Sequence, residues 1–291
     1  MSIDEHIKEL KKKYNDEFYF KEIDIRYGNW IKNAKTKQEK IILEKIFMNL
    51  KFYSKKEMKD LLEEQLVSIK KDYNGLKESV ILPLIPNNGR YCGANELISL
   101  IRIINFEKKM ELEEDFLPYE DTLNTDLRYA EEFESIIIVD DVVGTAGTVE
   151  KYLENNDKYF EGKELIFLFI LVTDRALIKI EELKKKYSDI KFDIRYCHKV
   201  SKISEINVLS EMEYQRLVKI EKRLWGTNSR FILGYEMSEL LVLFSHNIPN
   251  NTVSNFWYKG QIPWESLFKR FSQPKRKQQN YRNRKRQYNN E

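Results

Sequence analysis

Cysteine, histidine, proline and glycine are all scarce in this sequence. Its 291 residues include 2 Cys, 3 His, 6 Pro and 10 Gly. Two cysteines cannot provide a disulfide framework, and their scarcity is typical of proteins from a reducing compartment. The three histidines are far apart in the chain, and no Cys/His spacing matches a zinc site. Disulfide-stapled secreted domains and zinc-binding modules are therefore excluded as interpretations.

Long hydrophobic runs are also missing. The longest, "LIFLFILV" at residues 165–172, is far too short to cross a bilayer as a helix. The N-terminus carries Asp4 and Glu5 and lacks the apolar segment of a signal peptide. We therefore expect a cytoplasmic protein with no membrane partner.

Positive charge is concentrated at the end of the chain. The formal net charge is only +3, yet residues 273–291 contain seven basic residues and one acidic residue. This stretch has almost no apolar residues, which predicts a disordered basic tail. Its mixture of cations and tyrosines also suits contact with nucleic acid through phosphates and base stacking. Both interpretations are consistent with the composition.

Helical periodicity dominates the start of the chain. In "KIILEKIFMNL" and "MKDLLEEQLVSI", apolar residues recur every three or four positions. Ser54 stands where a helix N-cap is expected before the second of these segments. We predict an N-terminal helical lobe over residues 1–75.

From Ser79 onward, short apolar runs alternate with amphipathic helical segments. Five runs predict strands: "SVILPLI", "SIIIVDDV", "LIFLFILV", "IKFDIRYC" and "LLVLF". Because these runs lack polar alternation and are separated by helices, they predict a parallel sheet covered on both faces. The expected fold class is α/β, with a doubly wound, mostly parallel sheet. We place its core at residues 76–245 and a C-terminal cap at 246–272, before the tail.

The stretch "SIIIVDDVVGTAGTVEKYL" combines two kinds of polar group. Asp140 and Asp141 follow four apolar residues, at the strand end where doubly wound folds bind ligands. After them, a glycine- and threonine-rich loop leads into a helix, whose first N–H groups suit a phosphate. Carboxylates suit neutral hydroxyl donors instead. A ribose 5-phosphate carries both groups, so we expect its phosphate in the loop and its 2- and 3-hydroxyls on the carboxylates.

This stretch resembles the phosphoribosyl-diphosphate (PRPP) signature of type I phosphoribosyltransferases. The resemblance implies that Asp140 and Asp141 are catalytic ligands of the ribose hydroxyls. It also implies that the phosphate is bound by the loop residues Val143, Gly144, Thr145, Ala146, Gly147 and Thr148. Gly144 departs from the pattern, because several members have an acid or a threonine there, and that acid can assist the base.

Other interpretations of the same residues exist. Response-regulator receiver domains also begin with an apolar run and two acids, but they place it at the start of the domain and continue directly into a helix. A P-loop is excluded because "GTAGTVEK" lacks the Gly-Lys-Ser/Thr ending. A capped strand–turn–helix without a ligand is the remaining alternative.

Type I enzymes also need a pyrophosphate-binding loop after an earlier strand. The candidate residues here are Gly89, Arg90, Cys92 and Gly93. Loop amides and one guanidinium would hold a diphosphate with Mg²⁺, which prefers oxygen ligands and would be bound through the substrate rather than by direct protein ligands. A connecting turn whose arginine faces water is an equal alternative.

Four further residues are candidates for the substrate side of the site. "VTDR" resembles the end of the next strand in orotate-type members and contributes Asp174 and Arg175. His246 and Asn250 lie in the polar loop after the last predicted strand. Asparagines beside a proline are also ordinary turn formers, which is the alternative for this loop.

The ends of the chain resemble a subgroup of phosphoribosyltransferase-like proteins with a C-terminal extension, found in bacterial anti-phage conflict systems and some retrons. The motifs are "YGNWIKNA" and the closing "LLVLFSHNIPNN…FW…PWESLF.R". The resemblance implies a defence effector acting on nucleotides or nucleobases, with a retron or other defence-system protein or nucleic acid as partner. The alternative is an inactive module that senses PRPP or a nucleotide and acts through a partner.

Overall fold

The computed structural model describes residues 1–73, 79–85, 92–112 and 133–270. Two residues of the predicted pyrophosphate loop, Gly89 and Arg90, and the predicted basic tail at 273–291 lie outside these ranges. Within the described ranges, no helix is both long enough and apolar enough to cross a membrane.

Six strands and eight α-helices make up the described fold. In chain order they are α1 (Ile3–Lys13), α2 (Ile23–Trp30), α3 (Lys37–Met48), β1 (Lys51–Tyr53), α4 (Lys55–Asp72), β2 (Ser79–Pro83), α5 (Gly93–Lys108), β3 (Ser135–Val143), α6 (Gly147–Asn156), β4 (Glu164–Thr173), α7 (Asp174–Lys186), β5 (Lys191–Val200), α8 (Glu211–Trp225) and β6 (Val242–Phe244). Ser54 caps α4 as predicted, since its hydroxyl accepts a hydrogen bond from the Glu57 N–H.

The central sheet has four parallel strands in the order β2-β3-β4-β5. Successive residues of its strands point to opposite faces, and both sets are buried. Ile137 and Ile166 pack with α4 and α5 on one face, whereas Ile136 and Leu165 pack with α6 and α7 on the other. The predicted doubly wound α/β fold is therefore confirmed.

The chain leaves β2 and β3 towards opposite faces of the sheet. The helix after β2 is α5, on one face, and the helix after β3 is α6, on the other. Because these two strands are neighbours, the divergence opens a crevice beyond their carboxyl ends, where doubly wound folds bind ligands.

A second core joins the beginning of the chain to its C-terminal part. Trp30 of α2 is fully buried, stacks on Phe256 at 5.2 Å between ring centroids, and donates a hydrogen bond to the Asn255 carbonyl at 3.2 Å. Asn33 also donates to the Glu265 carbonyl at 2.9 Å. The predicted N-terminal lobe and C-terminal cap thus share one hydrophobic core, while the boundaries at residues 75, 245 and 272 stay predictions.

Two strands differ from the sequence expectation. The strand predicted at 240–244 is shorter in the structure, where it is β6, and it pairs with β1 rather than with the central sheet. Strand β1 has three residues, which is too few to predict from the sequence. Strand β3 continues past the apolar run to Val143. Asp140 and Asp141 therefore lie within the last residues of the strand instead of beyond its end.

Candidate functional site

A cleft of about 1070 Å³ lies beyond the carboxyl ends of β2 and β3. One wall is the end of β3 with the following loop and the start of α6. The other wall comes from the region after α8. Its lining includes Cys92, Gly93, Asp140, Asp141, the loop residues Val143, Gly144, Thr145, Ala146, Gly147 and Thr148, and the later residues Arg175, Phe231, Tyr235, Asn250, Asn251 and Arg270.

The loop between β3 and α6 brings the first N–H groups of α6 to the cleft, and of these the Gly147 N–H donates to the Thr145 hydroxyl at 3.5 Å. Ala146 adopts a left-handed conformation (φ 56°), and α6 begins at the next residue, Gly147. The first intrahelical bond of this ten-residue helix runs from the Glu150 N–H to the Ala146 carbonyl, so the preceding N–H groups have no helical acceptor. The helix dipole adds positive potential at the same point. The N–H donors and the positive potential at this end of the cleft favour the binding of an anion.

Thr173 fixes the position of that loop. Its hydroxyl donates to the Gly144 carbonyl at 2.7 Å and accepts from the Ala176 N–H at 3.1 Å. The same side chain therefore caps α7 and attaches the loop to the end of β4. A rigid loop of this kind holds its N–H groups in place before a ligand arrives.

Gly144 is needed because the C-terminal part of the chain packs against it. A Cβ atom at this position would lie 2.1 Å from Nδ2 of Asn251. Asn251 is buried and held in place, since its Nδ2 donates to the Ser238 hydroxyl at 2.8 Å. The contact explains in steric terms why this chain has no acid or threonine at Gly144.

The two aspartates have different surroundings. Asp140 reaches the cleft, and its Oδ1 accepts a hydrogen bond from the Asp141 N–H at 2.9 Å. Burial raises the pKa of Asp140 well above its ordinary value, and the neighbouring charge of Asp141 raises it further. A ligand that donates hydroxyl hydrogen bonds would compensate the cost of keeping this carboxylate charged.

Asp141 is already paired with a residue that was predicted separately. Its Oδ2 lies 2.8 Å from Nε2 of His246, which stacks on Phe244 at 5.4 Å between ring centroids. The other ring nitrogen, Nδ1, is buried and has no hydrogen-bond partner among the described residues. His246 thus lies behind the cleft wall, where it orients Asp141 instead of facing the ligand space.

The start of α5 closes the cleft beside Asp141. A Cβ atom on Gly93 would lie 1.9 Å from the Asp141 Oδ2, so only glycine fits there. Burial, followed by the charges of Asp140 and Asp141, raises the pKa of the Cys92 thiol to about 12. Cys92 is therefore a neutral thiol at the rim and not a nucleophile.

The remaining predicted residues separate into two groups. Arg175 and Asn250 line the cleft, and the Arg175 guanidinium donates to the Glu236 carbonyl at 2.9 Å. Asp174 is not part of the lining and forms an ion pair with Lys199 at 3.0 Å.

Sequence reasoning assigned no role to Arg270 or Tyr235, although both line the cleft. The one available signal was the position of Arg270 at the end of the motif "PWESLF.R".

We expect Asp140→Asn to stabilise the ligand-free protein at neutral pH. The pKa of Asp140 is higher in the folded chain than in the unfolded chain, where it is about 3.9. The stability that the protonated carboxyl contributes is therefore fully present below the unfolded pKa and is lost as pH rises through the folded pKa. Asparagine keeps the Oδ1 acceptor and removes the buried charge. The melting temperature should therefore exceed that of wild type near neutral pH, and the difference should shrink on acidification.

The matched control for this experiment is Asp157→Asn. Asp157 is exposed and accepts the same kind of hydrogen bond from the next N–H, that of Lys158, at 2.7 Å. It should leave the melting temperature within about 1 °C of wild type, as surface substitutions do. An Asp140→Asn variant that melts below wild type at neutral pH would show that the buried charge is compensated in the free protein.

Comparison with known proteins identifies the family of the chain. A family model described as PRTase-CE matches residues 27–270. Among solved structures, the chain is similar to Helicobacter pylori xanthine-guanine-hypoxanthine phosphoribosyltransferase, at 13% identity over 54% of this chain and 92% of that chain, with a TM-score of 0.28. No curated protein matches the chain.

Proposed function

Because the chain belongs to the PRTase-CE family, we propose that its cleft binds PRPP and transfers the phosphoribosyl group to a nucleobase or related acceptor. The observation that carries the proposal is the presence in one cleft of an anion-binding loop and two carboxylates. The loop lies at the start of α6, and Asp140 and Asp141 lie at the end of β3. The ligand they suit has a phosphate at one end and a diol beside it.

In this arrangement each group of the sugar phosphate has a partner of matching chemistry. The 5-phosphate accepts hydrogen bonds from the first N–H groups of α6 and from the hydroxyls of Thr145 and Thr148. The ribose hydroxyls donate to Asp140. As the anomeric carbon becomes cationic, the aspartates stabilise it more than they stabilise the ground state.

Magnesium is part of the proposal as a companion of the diphosphate. Within the described ranges, no group of three or more His, Cys, Asp or Glu residues could hold a metal ion. Mg²⁺ prefers oxygen ligands, and the diphosphate of the substrate supplies them. An ion bound through the substrate would neutralise charge on the diphosphate, with water completing its coordination.

The acceptor side of the cleft is aromatic. Phe231 and Tyr235 line it, with ring centroids 6.0 Å apart, and the Arg230 guanidinium lies over the Tyr235 ring. Aromatic faces of this kind suit the stacking of a planar base. This supports a nucleobase or nucleotide as the acceptor or product.

Calorimetric titration with PRPP and MgCl₂ tests the proposal. We expect the double variant Asp140→Asn, Asp141→Asn to lose at least about 100-fold in affinity, because two charged hydrogen-bond acceptors are removed. Asp157→Asn is the control and should bind like wild type. Wild-type protein that does not bind PRPP, or a double variant that binds equally well, would contradict the proposed function.

A second candidate is a PRPP- or nucleotide-sensing module without turnover. Two observations favour it: glycine occupies position 144, and Asp141 is engaged by His246 at 2.8 Å. Incubation with PRPP, MgCl₂ and a panel of nucleobases separates the two candidates. Release of pyrophosphate identifies an enzyme, and binding without release identifies the sensor.

We extend the proposal to an effector role in anti-phage defence, with a retron or other defence-system partner. It is supported by the resemblance of the terminal motifs to the defence-associated subgroup. Wild-type protein, but not the double aspartate variant, should then reduce phage yield in cells that contain its partners. Equal phage yield with the two proteins would argue against this role.

A further inference from the structure

The positively charged side chains of the cleft are not equivalent. Arg175 pairs with Glu236 at 3.4 Å, and Lys179 pairs with Glu150 at 3.1 Å. Arg270 has no carboxylate within 4.0 Å in the part of the chain that the structure describes. Unlike Arg175 and Lys179, Arg270 is not neutralised by a paired carboxylate, and unlike Lys151, a fourth cation of the lining that is exposed, it is partly buried.

The Arg270 side chain is nevertheless held in a fixed position. Its Nε donates to the Ile248 carbonyl at 2.8 Å, and its Cζ lies 5.2 Å from the ring centroid of Trp257. Trp257 is itself buried and donates through Nε1 to the Thr252 carbonyl at 3.0 Å. Within the described ranges, the two terminal nitrogens of Arg270 have no protein acceptor. They form the fork that binds phosphate oxygens in pairs.

The electrostatic surroundings of Arg270 favour an anion. Burial lowers the pKa of its guanidinium to about 10, while the charge of Asp141 opposes this shift. The group is still a cation at neutral pH. Arg270 is partly buried, so its charge is only partly solvated, and a bound anion would stabilise it.

The position of Arg270 indicates which anion it would contact. The loop at the start of α6 takes the 5-phosphate in the proposed function. Arg270 lines the same cleft as Asp141, which lies against Gly93 at the start of α5, a described residue of the predicted pyrophosphate loop. We propose that Arg270, contributed by the C-terminal part of the chain, binds the diphosphate of PRPP. This inference rests on the proposed function.

Two ligands that differ only in the diphosphate test this role. PRPP and ribose 5-phosphate are titrated calorimetrically with MgCl₂ into wild type, Arg270→Met and Arg270→Lys. Methionine keeps apolar contact with Trp257, and lysine keeps the charge but not the fork. Lys269→Met, at the exposed neighbouring position, is the control. Melting temperatures verify that each variant is folded, and Arg270→Lys provides the test if Arg270→Met does not fold.

We expect Arg270→Met to weaken PRPP binding by about 10- to 100-fold, the effect of losing a charged hydrogen-bonded pair. Ribose 5-phosphate binding should change by less than about twofold, and Arg270→Lys should fall between Met and wild type. Equal loss of affinity for both ligands, or no loss for either, would contradict the role of Arg270. It would not contradict the proposed function, because wild-type protein would still bind PRPP. Wild-type protein that does not bind PRPP would instead refute the proposed function, and this inference with it.

Discussion

Glu221→Ala is expected to lower the free energy of unfolding by about 4 kcal/mol. Glu221 of α8 is completely buried, and the hydrogen bonds that its carboxylate accepts all come from residues after this helix. Its Oε1 accepts from the N–H and the side-chain amide of Asn255, at 2.8 and 2.9 Å. Its Oε2 accepts from the Leu233 N–H at 3.2 Å and from the Ser254 hydroxyl. Alanine leaves four buried donors without an acceptor.

We expect the loss of Glu221 to affect the cleft as well, because the Leu233 N–H that it accepts from belongs to a segment with unusual backbone geometry. Leu233, Glu236, Met237 and Glu239 all have positive φ values, between 50° and 57°. Such conformations cost energy and persist only where surrounding contacts enforce them. Since Tyr235 lines the cleft, release of Leu233 should also weaken ligand binding.

Thermal denaturation followed by circular dichroism measures this effect, with a fall of roughly 10 °C expected for Glu221→Ala. Glu221→Gln keeps the size and part of the acceptor set, so about half of the loss is expected. Glu211→Ala, at an exposed position of the same helix, is the matched control. If the two alanine variants melted at the same temperature, the hydrogen bonds of Glu221 would not stabilise the C-terminal region.

Gly144→Ala is expected to destabilise the protein by about 1–3 kcal/mol, the cost of overpacking a filled site. The new Cβ would lie 2.1 Å from Nδ2 and 2.8 Å from Cγ of Asn251. Gly144→Asp should cost more, because its side chain is larger than that of alanine. Denaturant unfolding of each variant gives the free energies.

A double variant distinguishes steric overlap from any other effect. Asn251→Ala removes the atoms that the new Cβ would meet, so the combination with Gly144→Ala should cost less than the sum of the single changes. Gly147→Ala is the control, because its Cβ would have Thr145 Oγ1 as nearest neighbour at an ordinary 3.6 Å. Strictly additive losses in the double variant would contradict the steric explanation.

Local patterns were sufficient for most helices and strands and for the loop of the site. The segment "EMEYQRLVKIEKRLW" predicts a helix with the bounds of α8, Glu211–Trp225. The apolar runs predict β3 and β4, and the Gly/Thr composition predicts the turn before α6. These features depend on residues a few positions apart, so periodicity and capping preferences contain the necessary information.

The C-terminal wall of the site could not be predicted in the same way. The Asp141–His246 hydrogen bond joins residues 105 positions apart, and the contact of Asn251 with Gly144 is similarly remote. No periodicity in either segment specifies its partner. Strand β1, with three residues, is shorter than the runs from which strands are recognised, so its pairing with β6 was also missed.

The core shared by the two ends of the chain has a consequence for synthesis. The apolar faces of α1, α2 and α3 pack on residues such as Ile248, Phe256 and Phe268, which the ribosome makes long after these helices. The helices therefore emerge without the side chains that bury Trp30, while the residues of the central sheet are still being added. Until translation has passed Phe268, this part of the nascent protein exposes hydrophobic surface of the kind that chaperones bind.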